Sequence, residues 1–181
     1  MKIVIVSGAP ASGKTTVGKK IAHDLGYEFY GKDTIKEALF DSHPKVIRGY
    51  LWYEKRAKAV LINDVQSSFS KGRSVVIESD FNKGDKRWLE PLCKGHQVAE
   101  VRCTTKGLTR LKRYISRNEN GARHKGHHDR RWYPSMFIQA LGTYIGLEWP
   151  YYPMGLSAVI KVDTSDFSKI DYRAILATLQ L

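Results

Sequence analysis

Residues 8–15 read GAPASGKT, with glycines at Gly8 and Gly13 and then a lysine and a hydroxyl side chain. The spacing is G-x-x-x-x-G-K-[ST], and the chemistry it can do is phosphate capture. The two glycines let the backbone curl until successive N–H groups point at phosphate oxygens. Gly8, Ala11, Ser12, Gly13, Lys14, Thr15 and Thr16 are therefore the expected nucleotide contacts. Lys14 is placed to reach the β- and γ-phosphates, and the Thr15 hydroxyl to ligate Mg²⁺. The flanks support this: KIVIVS (2–7) is a β-branched run suited to a buried parallel strand, and VGKKIAHDLG continues as a helix that Gly26 can stop. Strand, glycine loop and helix N-terminus together favour a nucleoside triphosphate, with ATP and Mg²⁺ as the expected cofactors.

A second constellation follows in GKDTIKEALFD. Asp33 stands where a second strand ends and a helix begins, at the carboxyl edge of a parallel sheet where ligands bind. A carboxylate there can accept the proton of a hydroxyl attacking the γ-phosphate. Lys36 and Glu37 follow on the same helical face, so Lys36 is expected to contact an acceptor's charge or the transferred group. Asp33 could instead only cap its helix, and the two roles are compatible.

GAPASGKTT, KDTIKEALFD, VVIESDF and the basic stretch ending RHKGHHD resemble the small P-loop kinases. That group includes chloramphenicol phosphotransferase, gluconate kinase, zeta toxins and polynucleotide 5′-kinases. The resemblance implies a three-layer α/β fold with a mostly parallel five-stranded sheet of order 2-3-1-4-5. It implies Asp33 as general base and an Arg-rich lid over about residues 105–131 that closes on the phosphates. It does not name the acceptor. In SVVIES (74–79), Glu78 is a candidate for Mg²⁺-bound water and Asp80 for either the metal or the acceptor. Strand alternation is expected to aim only one of them freely into the site.

Arg110, Arg113 and Arg117 recur at helical spacing, with Leu108, Leu111 and Ile115 at angles available for packing, and Arg123 follows NENGA. Arg113, Arg117 and Arg123 are the expected phosphate-contacting set, since a guanidinium binds phosphate oxygens bidentately. His124, His127, His128 and Asp129 invite a metal reading, but no cysteine is near and the arginines would repel a divalent cation. Trp132, Tyr133, Tyr144, Trp149, Tyr151 and Tyr152 could stack the bases of a single-stranded nucleic acid, or form ordinary core and rim.

The elements that must hold these residues can be read along the chain. Strands are expected at 2–7, 28–33, 73–81, 96–104 and 157–164, and helices at 50–71, 84–93, 105–119, 134–146 and 170–180. The helix at 50–71 would bury Leu51, Ala57, Val60, Leu61 and Val65. Alternation of strand and helix argues an α/β domain spanning 1–181. Of the residues, 42% are hydrophobic and 27% charged, which excludes disorder as the default. Two cysteines, Cys93 and Cys103, fit small core residues in a reducing compartment. No apolar run is long enough for a membrane span, so a cytoplasmic location without membrane contact is expected. Net charge is +12, and residues 102–131 alone hold 10 Lys/Arg against 2 Asp/Glu. A field that local favours an anionic ligand. The reading is an ATP-dependent kinase acting on a hydroxyl, foremost a polynucleotide 5′-OH. The alternatives are a small-molecule hydroxyl or a nucleotide-dependent binding protein without transfer.

Overall fold

β1 (Lys2–Ser7) is buried from Ile3 to Ser7, as a central parallel strand covered on both faces requires. A computed structural model of the chain describes residues 1–43, 50–119, 124–126 and 153–180. The glycine loop leads into α1 (Lys14–Leu25), which ends on Gly26 in the left-handed conformation. β2 (Glu28–Gly31), α2 (Lys32–Ser42), α3 (Tyr50–Ser70) and β3 (Val75–Glu78) follow. Next come a short 3₁₀ turn (Lys83–Asp85), α4 (Lys86–Cys93), β4 (Gln97–Thr104) and α5 (Gly107–Glu119). β5 (Val159–Asp163), a 3₁₀ turn (Phe167–Lys169) and α6 (Tyr172–Gln180) complete the described elements.

The five strands form one parallel sheet in the order β2-β3-β1-β4-β5. Alternate residues of each strand serve opposite layers. Ile3, Ile5, Val75 and Ile77 pack with Leu61 and Val65 of α3 and Leu89 and Leu92 of α4. Val4, Val6, Val76, Val101 and Val162 pack with Val17 and Ile21 of α1 and Ile175 and Leu179 of α6. Helices thus cover both faces, which gives three layers. Both cysteines are buried thiols, and burial pushes Cys93 up to about 11 and Cys103 up to about 12.

Three local expectations change. β2 stops at Gly31, so Lys32 and Asp33 both fall in the first turn of α2 rather than on the strand. On α3 the inward stripe runs through Tyr53, Ala57, Leu61 and Val65, whereas Leu51 is 71% exposed because it lies off that stripe. On α5 the inward positions are Arg110 and Tyr114, and the expected packing residues Leu108 and Ile115 face solvent. The helix expected at 134–146 lies outside the described residues. Among the described residues, no helix is long and apolar enough to cross a membrane.

Candidate active site

The loop between β1 and α1 has the backbone of a phosphate cradle. Gly8 has φ 150°, Ala11 φ 62° and Gly13 φ 81°, and Ala11 is the one non-glycine residue with positive φ among those described. A Cβ on Gly8 would stand 2.6 Å from the Cys103 carbonyl oxygen, so that turn is closed to any side chain. The loop is clasped from the β5 side: the Thr164 hydroxyl contacts the Ser12 and Thr104 carbonyls, and the Thr105 hydroxyl donates to the Ser12 carbonyl at 3.2 Å. The Ser12 hydroxyl itself is buried with no protein partner among the described residues.

Lys14 and Thr15, the first residues of α1, both turn toward Glu78 at the end of β3. Lys14 Nζ lies 3.5 Å from Glu78 Oε1, and the Thr15 hydroxyl donates to Glu78 Oε2 at 3.1 Å. Burial would lower the Lys14 amine, but Glu78, Asp80 and Asp33 outweigh it and hold the amine above its ordinary range, with Arg117 opposing. Burial, joined by Asp33 and Asp80, pushes the Glu78 carboxyl up against the pull of Lys14 and Thr15. A glycine cradle, an orphaned buried hydroxyl and a Thr–carboxylate pair suit nucleotide phosphates with Mg²⁺. Thr15 and Glu78 are the residues that would hold the ion or its water.

Asp80 also faces this site. Asp80 lies beyond the strand, so the alternation expected to admit only one of Glu78 and Asp80 does not govern it. β3 ends at Glu78, and Asp80, just past it, meets Lys32 Nζ at 3.2 Å. Lys32 also lies 3.0 Å from Glu54 of α3. Lys36 is 2.8 Å from Glu54 and 3.2 Å from Asp33, and its side chain is only 4% exposed. Lys36, expected to contact an acceptor's charge or the transferred group, is paired with two carboxylates of the protein. Burial raises Glu54, yet Lys32 and Lys36 more than reverse this and hold its carboxyl at about 2. Burial likewise opposes the charged form of Lys32, and Asp80 and Glu54 overcome it and raise the amine.

Beside the cradle, a cavity of about 470 Å³ is lined by Ala11, Gly13, Thr16, Lys112, Arg113, Ser116, Arg117 and Phe167. Arg117 is exposed at the end of α5 and close enough to act on the Lys14 charge. Arg113 lines this cavity, and the contacts its guanidinium makes are to the protein. Its Nη2 donates to the Thr164 carbonyl at 2.7 Å, and its guanidinium stacks 4.5 Å over the Phe167 ring. The half-buried helical face gives this arginine backbone carbonyls to satisfy before any ligand. Arg123, His127, His128, Asp129 and the aromatics from Trp132 to Tyr152 lie outside the described residues. His124 faces Asp41 of α2 at 3.1 Å, and no metal-binding group of His, Cys, Asp and Glu occurs among the described residues.

Sequence reasoning missed Lys32, Glu54 and Phe167. Glu54 had one readable signal: Glu54, Ala57, Leu61 and Val65 continue a single helical stripe, so a carboxylate there is aimed inward. Lys32 and Phe167 had none, because their roles depend on where β2 and β5 stop.

A profile of the AAA domain family AAA_33 matches residues 3–132, and the chain belongs to that family. Its fold and cradle are those of the small P-loop kinases, a group of nucleotide-binding phosphotransferases. The chain is similar to a candidate kinase from Chloroflexus aurantiacus J-10-fl, with 28% identity and a TM-score of 0.85 over 99% of this chain and 96% of that one. A gluconokinase from Sinorhizobium meliloti 1021 shares the fold at 20% identity and a TM-score of 0.57, covering 99% of this chain and 91% of that one. A sugar kinase from Janibacter sp. HTCC2649 does so at 16% and 0.51, covering 90% and 85%. No curated protein matches significantly.

Proposed function

We propose that the protein transfers the γ-phosphoryl group of Mg·ATP to a hydroxyl of a small molecule, with Asp33 as general base. The supporting observation is the placement of Asp33 and its lysine neighbours. The Lys14–Thr15–Glu78 cluster and the Asp33–Lys36–Glu54–Lys32–Asp80 cluster are near enough for Asp33 and Asp80 to act on the Lys14 charge. The acceptor oxygen bonds the γ-phosphorus, the bond to the β-phosphate oxygen breaks, and the hydroxyl proton passes to the Asp33 carboxylate. Thr15 and Glu78 would hold Mg²⁺ or its water, and the ion would supply neutralisation of phosphate charge. Lys14 offsets charge on the β- and γ-phosphates, and Arg117 lies over them from α5.

A polynucleotide acceptor is the less favoured reading. The described lysines beside Asp33 are buried within a helix–helix junction and do not line an exposed basic channel. The sugar kinase fold neighbours are consistent with a small acceptor. The test is label transfer from γ-labelled ATP to pooled sugars, nucleosides and 5′-OH oligonucleotides, by the wild type and by Asp33→Asn. Asp33-dependent transfer to a small hydroxyl compound supports the reading, and transfer to oligonucleotides alone overturns it.

A further inference from the structure

The acceptor half of the site has a charge balance that decides what it will admit. Among the described residues it brings two ammonium groups, Lys32 and Lys36, against three carboxylates, Asp33, Glu54 and Asp80. Each lysine is paired twice, and Glu54 is shared between them at 3.0 and 2.8 Å. Lys36 is 4% and Lys32 16% exposed, so water screens these contacts weakly. A buried cation already neutralised by two carboxylates has little attraction left for a carboxylate or phosphate on a ligand, and the ligand's own charge must also be desolvated. An uncharged hydroxyl compound avoids both costs and can donate a hydrogen bond to a carboxylate oxygen.

We infer that Glu54 acts as a specificity-determining residue: by neutralising Lys32 and Lys36 it restricts the acceptor to alcohols carrying no anionic group. This deepens the proposed kinase reading and rests on its assignment of the acceptor side. It also separates the two jobs of the site. Lys14 and Arg117 serve an anionic nucleotide on one side, and the Glu54 network excludes anions on the other.

The full-length protein saturated with Mg²⁺ and a non-hydrolysable ATP analogue, which fills the cradle, is titrated with inorganic phosphate by calorimetry. Glu54→Gln leaves two ammonium groups against two carboxylates, and phosphate is expected to bind at least about tenfold tighter than to the wild type. Asp80→Asn removes the other partner of Lys32 and should act in the same direction, which keeps the test open if Glu54→Gln does not fold. Adding Lys32→Met to whichever variant gains phosphate binding should return the affinity to the wild-type value. Equal phosphate binding by wild type and both variants overturns the inference, as does a gain that survives Lys32→Met. Label transfer from γ-labelled ATP by the wild type to gluconate, galacturonate or a 5′-OH oligonucleotide above the rate of hydrolysis also overturns it. Failure of the kinase reading is seen separately, as label release identical in wild type and Asp33→Asn, and the phosphate comparison is unaffected by that result.

Discussion

Asp33 is the general base of the proposed reaction, and its surroundings suit a carboxylate there. It lies in the first turn of α2, where the helix dipole favours negative charge, and its partner Lys36 keeps the carboxylate in place at 3.2 Å. Asp33→Asn preserves shape and removes the base, so transfer should fall about 10²–10⁴-fold while affinity for a fluorescent ATP analogue stays unchanged. An unchanged rate would remove Asp33 from the mechanism. Gly8 tests the cradle in a different way. A methyl group there would meet the Cys103 carbonyl at 2.6 Å, at a φ of 150° that side chains rarely adopt. Gly8→Ala should abolish nucleotide binding and lower thermal stability, since the loop cannot shift without opening the β1–β4 pairing. Ala11 does not carry the same constraint, because the left-handed region costs a small residue only about 1–2 kcal/mol.

α2 and α3 carry the part of the site that the sequence did not reveal. The glycine cradle was legible because its spacing is dictated by local backbone geometry, and the sheet order followed from the resemblance that the cradle carries. The role of Asp33 as base belongs to the proposal, but its place at the start of a helix after the second strand was legible. The Lys32–Glu54–Lys36 junction was not, because it joins residues about twenty apart whose contact depends on the angle between two helices. Arg113 has partners that periodicity could not show, since the carbonyls of the β5 loop are invisible to helical spacing. The junction makes a prediction about acid stability. The Glu54 carboxyl sits at about 2 in the folded protein against an ordinary 4.5. A folded value below the unfolded one stabilises above the unfolded value and is lost as pH falls through the folded one. The stability gap between wild type and Glu54→Gln, measured by urea unfolding, should therefore be full above about 4.5 and shrink steadily toward about 2. A constant gap across that window would mean that the ion pairs contribute no pH-dependent stability. One stripe further along α3, Leu61 is fully buried against β1 and β3, and Leu61→Ala should cost about 2–5 kcal/mol at any pH.

The charge of the whole chain is unevenly used. Residues 102–131 hold 10 Lys/Arg against 2 Asp/Glu, which as bare sequence pointed toward a polyanion. On the described part of that stretch the positive groups are not equivalent. Arg110 is buried, Arg113 bonds the Thr164 carbonyl and stacks on Phe167 at the wall of the cavity beside the cradle, and that cavity is also lined by Lys112 and Arg117. The last two therefore face the place where a triphosphate would lie, and Arg117 is already close enough to weaken the hold of Lys14 on its proton. A cluster of like charges around an anion site repels itself, and a bound triphosphate relieves that repulsion. Exposed charges of this kind are screened within about 10 Å at 0.1 M salt, whereas the buried Lys14 is screened much less. Nucleotide affinity should accordingly have two components, one that salt removes and one that it leaves. Titration of a fluorescent ATP analogue at low and high salt should show moderate weakening for the wild type. Arg117→Ala should bind about tenfold more weakly at low salt and converge on the wild type at high salt, because only the screened component has been lost. A parallel offset at every salt concentration would place Arg117 in direct, desolvated contact with phosphate. No offset at all would leave the basic stretch without a role in nucleotide binding, and would return it to the polyanion reading that its sequence first suggested.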